Sequence, residues 1–352
     1  MNASHVFETA VSLSLQATVL VGFAELMSRA ARSDTARTRI WAGCHVGLLA
    51  ILFFAISLPH LRLTRPWRLE GYGVAGANAL AIPGLVWGAG IAIGLGALAL
   101  GWVRTALLLR GCRPFDIAGD EFRLPVVEGR PVRMLSCPGL PGPFCWQIHQ
   151  PTIVLPHALL SYSADELRLV LRHECEHLQA GHPMQLFLQR LVGIVFWFHP
   201  AVWWAARQAD LYRELVCDSA AVQSPADLPL YLRTLMRLAD YQNRMWTALN
   251  PAGLAFGGAK SLLAARADRL TRPVPSVPVS IGSGRWSGRL VATLAFAVAL
   301  IWVPLDARAS TRSLWSPWPA WSARVLQTLG VSVRDYEIDG HRQHLHSHRT
   351  PH

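Results

Sequence analysis

Apolar positions along the chain gather into four long runs separated by arginine-rich polar stretches. The runs cover about Val6–Met27, Ile40–Leu58, about Ala77–Val103 and Leu290–Pro304. A helix crossing a bilayer needs about 17–25 mostly apolar residues. The first three are long enough, and Leu305 slightly extends the shorter fourth. Gly and Ala crowd the third, which lets helices approach closely in lipid. No Lys or Arg precedes the first run, so it reads as a retained span rather than a signal peptide. Arg29, Arg32, Arg37 and Arg39 follow the first span, Arg104, Arg110 and Arg113 the third, and Arg285 and Arg289 precede the fourth. Basic flanks favour the cytoplasmic side, which places the N-terminus outside and residues 104–289 in the cytoplasm. Arg62, Arg65, Arg68, Arg308 and Arg312 fall on the opposite face.

Between the third and fourth runs the pattern changes. "LPVVEG", "PVRMLS" and "PTIVLP" are short β-prone pieces among prolines and glycines, predicting a small sheet over about 114–160. "SADELRLVLRHECEHLQAG" predicts a helix: Ser163 and Glu166 form a capping box, and Gly181 and Pro183 end it. Leu167, Val170, Leu171 and Leu178 give that helix an apolar stripe. Residues 186–204 are nearly apolar enough to span, but Gln189, Arg190, His199 and Pro200 argue for two helices beside or partly in the membrane. "SLLAARADRL" predicts a further helix before a proline-rich linker. Beyond the fourth run, "SLWSPWPAWS" suits a membrane interface. The closing histidines His341, His344, His346, His348 and His352 read as a low-complexity tail rather than a metal site. The expected fold is a mainly α integral membrane protein: about four transmembrane helices and a cytoplasmic α+β zincin-like (gluzincin) domain. Its divisions are 1–103, 104–289, 290–305 and an external tail, 306–352.

Composition agrees. Of 352 residues, 52% are hydrophobic and 16% charged, whereas soluble domains carry about 25% charged residues. The net charge of +11 comes almost wholly from arginine. No basic run is interleaved with aromatics, so contact with anionic lipid is the cheaper reading and direct nucleic-acid binding is not expected. Six cysteines without CxxC spacing exclude a zinc ribbon and fit reduced cytosolic thiols.

The candidate chemistry lies in "RHECEHLQAGHP", residues 172–183. His173 and His177 are four apart, so a helix turns both imidazoles to one face, as a metal requires. Glu174 sits one step round, placed to act as base on the hydrolytic water. The bland alternative is a solvated helical face. A catalytic zinc needs a third protein ligand, and "YRELVCDSA" offers Glu214, with Asp218 four residues on to orient a ligand histidine. His182 and His199 are the other possible third ligands. Tyr212, Arg213 and His199 are candidates to contact the substrate or the developing oxyanion.

At these residues the chain resembles the BlaR/MecR-type membrane zinc peptidases, receptors that control antibiotic-resistance genes. "PGPFCWQIHQPTIVLP", "ELRLVLRHECEHL", "FWFHPAVWWAARQADLYRELVCDSAAV" and "FGGAKSLLAARADRL" are similar to family segments, over roughly residues 1–305. The resemblance implies one catalytic Zn2+ held by His173, His177 and Glu214, with Glu174 as base. It also implies cleavage of a protein substrate, a cytoplasmic winged-helix repressor or the receptor itself, at the bacterial inner membrane. Two departures stand out. His182 replaces a commonly acidic residue, and the tail is too short for the external penicillin-binding sensor of the best-known receptors. Three rivals remain: an intramembrane protease, disfavoured by Glu166, Arg168, Arg172 and Gln179 around the histidines; a housekeeping quality-control peptidase; and a non-catalytic zinc-holding scaffold. An added substrate strand along an edge such as "PTIVLP" would present its backbone to the metal.

Overall fold

Three long helices carry the first three apolar runs: α1 (Ala3–Ala30), α2 (Asp34–Ser57) and α3 (Val74–Gly111). The computed structural model describes residues 3–57, 61–62, 74–115, 125–147, 150–249, 258–272, 283–299 and 301–302. Among these, three helical stretches are long and apolar enough to cross a membrane: Thr9–Ala30, Asp34–Ala55 and Ile82–Gly111. The fourth run forms α9 (Ser283–Ala299) but does not stay helical to Pro304. Ile301 and Trp302 are extended and pair in parallel with Leu61 and Arg62. The Trp-rich segment and the closing histidines lie outside the described residues.

A small sheet forms from "PVRMLS" and "PTIVLP" with two further strands, whereas "LPVVEG" stays outside it, Val126 and Val127 pairing with Pro131 and Arg130 in a separate short hairpin. The strands of the sheet are β1 (Arg113–Pro114), β2 (Arg133–Cys137), β3 (Phe144–Trp146) and β4 (Thr152–Pro156). Their order is β1-β2-β4-β3. β2 and β4 are parallel, with Arg133 opposite Thr152, and β3 is antiparallel to β4, with Phe144 opposite Val154. "PTIVLP" is therefore an inner strand, all five of its residues buried, and not the edge expected for a substrate. Among the described residues the edges are β1 and β3. An inner strand buried on both faces reads as an unbroken apolar run, which is what "TIVL" is.

Helix α4 (Ala164–Gln179) begins at the expected capping box: the Ser163 hydroxyl accepts from the Glu166 amide, and the Glu166 carboxylate accepts from the Ser163 amide. It stops where Gly181 adopts φ +67°, a conformation that costs other residues more than glycine. Val170, Leu171, Cys175 and Leu178 pack on Met134, Ile153 and Leu155 of the sheet. Leu169 turns the other way, toward Ala221, Tyr231 and Leu235. The histidine face of α4 lies between these two packed faces.

α5 (His182–Val195) and α6 (Pro200–Ala221) form a hairpin, followed by α7 (Asp227–Leu249) and α8 (Gly258–Thr271). Val202, Ala205 and Ala209 of α6 join one core with Leu13, Ala17 and Leu20 of α1, Trp41, Cys44 and Leu48 of α2, and Val291 and Ala295 of α9. The hairpin is thus built into the core of the apolar helices. The same α6 carries Glu214, Cys217 and Asp218 at its far end. One helix joins the apolar bundle to the histidine face.

Candidate metal centre

The two Nε2 atoms of His173 and His177 face each other at 3.2 Å. Glu214 closes the triangle, its carboxylate oxygens 3.6 Å from each Nε2. Ligand atoms about 2.0–2.1 Å from a tetrahedral zinc lie about 3.3–3.4 Å from one another, so this donor set fits a divalent ion of that size. Helix geometry produces the fit: i, i+4 spacing stacks the imidazoles on α4, and α6 packs across α4 to bring in the carboxylate.

Each imidazole is held from behind. His173 Nδ1 lies 2.9 Å from the Tyr231 hydroxyl and 3.2 Å from Asp218 Oδ1. Tyr231 donates to Asp218 at 2.7 Å, so the pair accepts the His173 Nδ1–H and leaves Nε2 free for a metal. His177 Nδ1 meets His182 Nδ1 at 2.9 Å, which orients the second ring in the same way. Arg266 of α8 donates to both Asp218 oxygens at 2.9 and 2.6 Å and pairs with Glu214 at 2.9 Å. Outer partners of this kind fix ligand orientation and tautomer.

Electrostatics separates the groups. Burial lowers the His173 pKa, but Asp218 and Glu214 outweigh it and raise it to about 9. Burial and the charge of His173 lower His177 to about 4. Burial would raise Glu214, yet His173 and Arg266 hold it well below the usual carboxylate range. Glu174 is only 6% exposed, and burial holds its carboxyl above the ordinary value. The Cys145 thiol on edge strand β3 donates to Glu174 Oε2 and to its backbone carbonyl, each at 3.2 Å.

Cys217 also lies near the pair: its sulfur, His173 and His177 could all reach one ion. Its sulfur lies 3.5 Å from His182 Nδ1, and burial keeps its thiol protonated far above neutral pH. Glu214 faces the Nε2 side and is ionised, which suits a metal better.

Three candidates go elsewhere. Arg213 is buried against Gln189, 2.7 Å away, and Asp210. Tyr212 lies under the Arg37 guanidinium, 5.4 Å from ring centroid to Cζ. His199 bonds to the Ser14 carbonyl at 3.0 Å. None of the three joins the donor group. Tyr231 and Arg266 instead contact the donor residues and Cys145 contacts Glu174, and spacing along the chain singles out none of them. Arg266 lies in "SLLAARADRL", which reads as a helix from its sequence but carries no site signal of its own.

Comparison with known proteins places the chain in a class. The profile of the BlaR1 peptidase M56 family matches residues 74–256, just over half of the chain, and the protein belongs to that family of membrane metallopeptidase-like regulators. Among individual relatives, it is 32% identical over 96 residues to "Regulatory protein BlaR1" of Bacillus licheniformis, covering 27% of this chain and 16% of that protein. The chain thus matches about a sixth of that relative's length.

Proposed function

We propose that the protein is a zinc metalloendopeptidase of the bacterial inner membrane, cutting peptide bonds at its cytoplasmic face. The observation that carries this reading is the 3.2 and 3.6 Å triangle of His173, His177 and Glu214. These three residues hold one zinc, while Asp218, Tyr231 and His182 orient the imidazoles and Arg266 steadies the two carboxylates. When bound, zinc supplies a Lewis acid that polarises the scissile carbonyl and acidifies water. Glu174 takes the proton from the attacking water and delivers it to the leaving amine. Burial holds its carboxyl above the ordinary value, which favours its holding that proton between the two transfers. The substrate adds as a strand along β3, an edge strand among the described residues that lies beside Glu174.

The regulatory name of the relative supports a place in controlled proteolysis, with a cytoplasmic winged-helix repressor or the chain itself as substrate. Glu174→Gln tests the chemistry. The variant should keep its metal and lose cleavage by at least about 100-fold, measured on fluorogenic peptides with the full chain in nanodiscs. The presence of Cys217 beside the histidines favours one other reading: a closed structural zinc in a signalling scaffold. Unchanged biological output from Glu174→Gln would select it.

A further inference from the structure

Between Arg190 and Arg207 lie 16 residues, "LVGIVFWFHPAVWWAA", without a single Asp, Glu, Lys or Arg. That length cannot cross a hydrocarbon core of about 30 Å as a helix, and the chain turns back in its middle. α5 ends at Val195 and α6 starts at Pro200. We infer that the α5–α6 hairpin is a re-entrant element that enters one leaflet, brings its tip near the middle of the bilayer and presents Trp197, Phe198 and Trp203 to lipid acyl chains.

Two spans independently report the depth of the tip. On α1, the His199 ring meets the Ser14 carbonyl and the Thr18 hydroxyl, 3.0 and 3.3 Å away. At about 1.5 Å per residue, Thr18 is roughly 13 Å from one end of the Thr9–Ala30 span and roughly 18 Å from the other. On α3, a Cβ at Gly90 would collide with the Trp197 indole, and one at Gly94 would come within 2.9 Å of Ile194. Gly94 lies near the centre of the charge-free stretch from Ile82 to Val103. α2 agrees: Trp204, five residues beyond the turn, packs edge-on against Trp41 at 5.3 Å, toward the Asp34 end.

The turn is also built for a dry setting. Broken backbone is tolerated at membrane depth only where its polar groups find partners in the protein. The Val195 carbonyl accepts from Trp87 Nε1 at 2.7 Å and the Trp197 carbonyl from Trp203 Nε1 at 2.9 Å. The Phe196 carbonyl accepts from the His199 amide at 2.9 Å. Meanwhile Trp197, Phe198 and Trp203 are 38%, 36% and 50% exposed, and the Trp197 indole lies against Gly90 of α3. Arg190 and Arg207 are exposed about one to two turns below the tip, where long cationic side chains reach the head groups.

Depth has a consequence for the metal centre. Glu214 is 14 residues past Pro200, roughly 21 Å along α6. A half-core of about 15 Å leaves it just outside the hydrocarbon, in reach of water and of an extended substrate.

Photolabelling of the full chain in phosphatidylethanolamine–phosphatidylglycerol nanodiscs tests the inference. One sample carries a phospholipid with a diazirine at the acyl-chain end, a second a headgroup diazirine, and a third a water-soluble diazirine. Trypsin releases residues 191–207 as one peptide. The acyl probe should modify it within about twofold of the exposed α3 stretch, with adducts on Trp197, Phe198 or Trp203, and the water-soluble probe should leave it at background. Modification of that peptide by the soluble or headgroup probe alone would overturn the inference. The readout needs no peptidase activity, so it stands or falls separately from the proposed function.

Discussion

Two carboxylates at the centre differ because one is buried, Glu174, and the other, half-buried Glu214, is paired with cations. His173 and Arg266 hold Glu214 well below the usual carboxylate range, while at Glu174 burial outweighs the charge of His173 and the Cys145 hydrogen bond and holds the carboxyl above its ordinary value. The His173 imidazole in turn depends on Asp218 and Tyr231, which accept its Nδ1 proton. Asp218→Asn and Tyr231→Phe should each weaken zinc binding by about 10–100-fold, measured by chelator competition, with Asp218→Asn the larger because it also frees Arg266. At this scale the local part of the centre was legible: HExxH and the Glu214–Asp218 pair are both i, i+4 patterns on helices. Tyr231 and Arg266 were not, since they reach His173 and Glu214 from 58 and 52 residues away through tertiary packing alone.

Helix α4 must hold two imidazoles in register, and its start is secured by the box between Ser163 and Glu166. The Ser163 amide, more than any other group, lowers the Glu166 pKa; it outweighs burial, and the Ser163 hydroxyl and Arg237 add to it. A carboxyl lowered in the folded state stabilises fully above its unfolded value near 4.5, and that contribution disappears as pH falls through the lower folded value. Glu166→Ala should therefore cost about 1 kcal/mol at pH 7 and progressively less below pH 4, measured by chemical unfolding in detergent. The box was readable from four letters. Strand order was not: "PTIVLP" shows a strand, but nothing local says that β2 and β3 flank it.

Across the whole molecule, the hydrophobic pattern located the long apolar helices but not the way they share a core with the hairpin. A run of 16 uncharged residues interrupted by His-Pro falls between a span and a soluble helix pair, and only the contacts to α1, α2 and α3 decide its place. Through those contacts α6 runs from the apolar bundle to the donor triangle, packed on α1 and α2 at one end and on α4 at the other. The account rests on His173, His177 and Glu214 gripping one ion. Its most direct test is the zinc content of the purified full chain by elemental mass spectrometry, compared with Glu174→Gln, Glu214→Ala and Cys217→Ser. About one zinc per chain in the native protein, Glu174→Gln and Cys217→Ser, with nearly none in Glu214→Ala, is the expected result. A native chain without stoichiometric zinc, or zinc kept by Glu214→Ala and lost by Cys217→Ser, would contradict it.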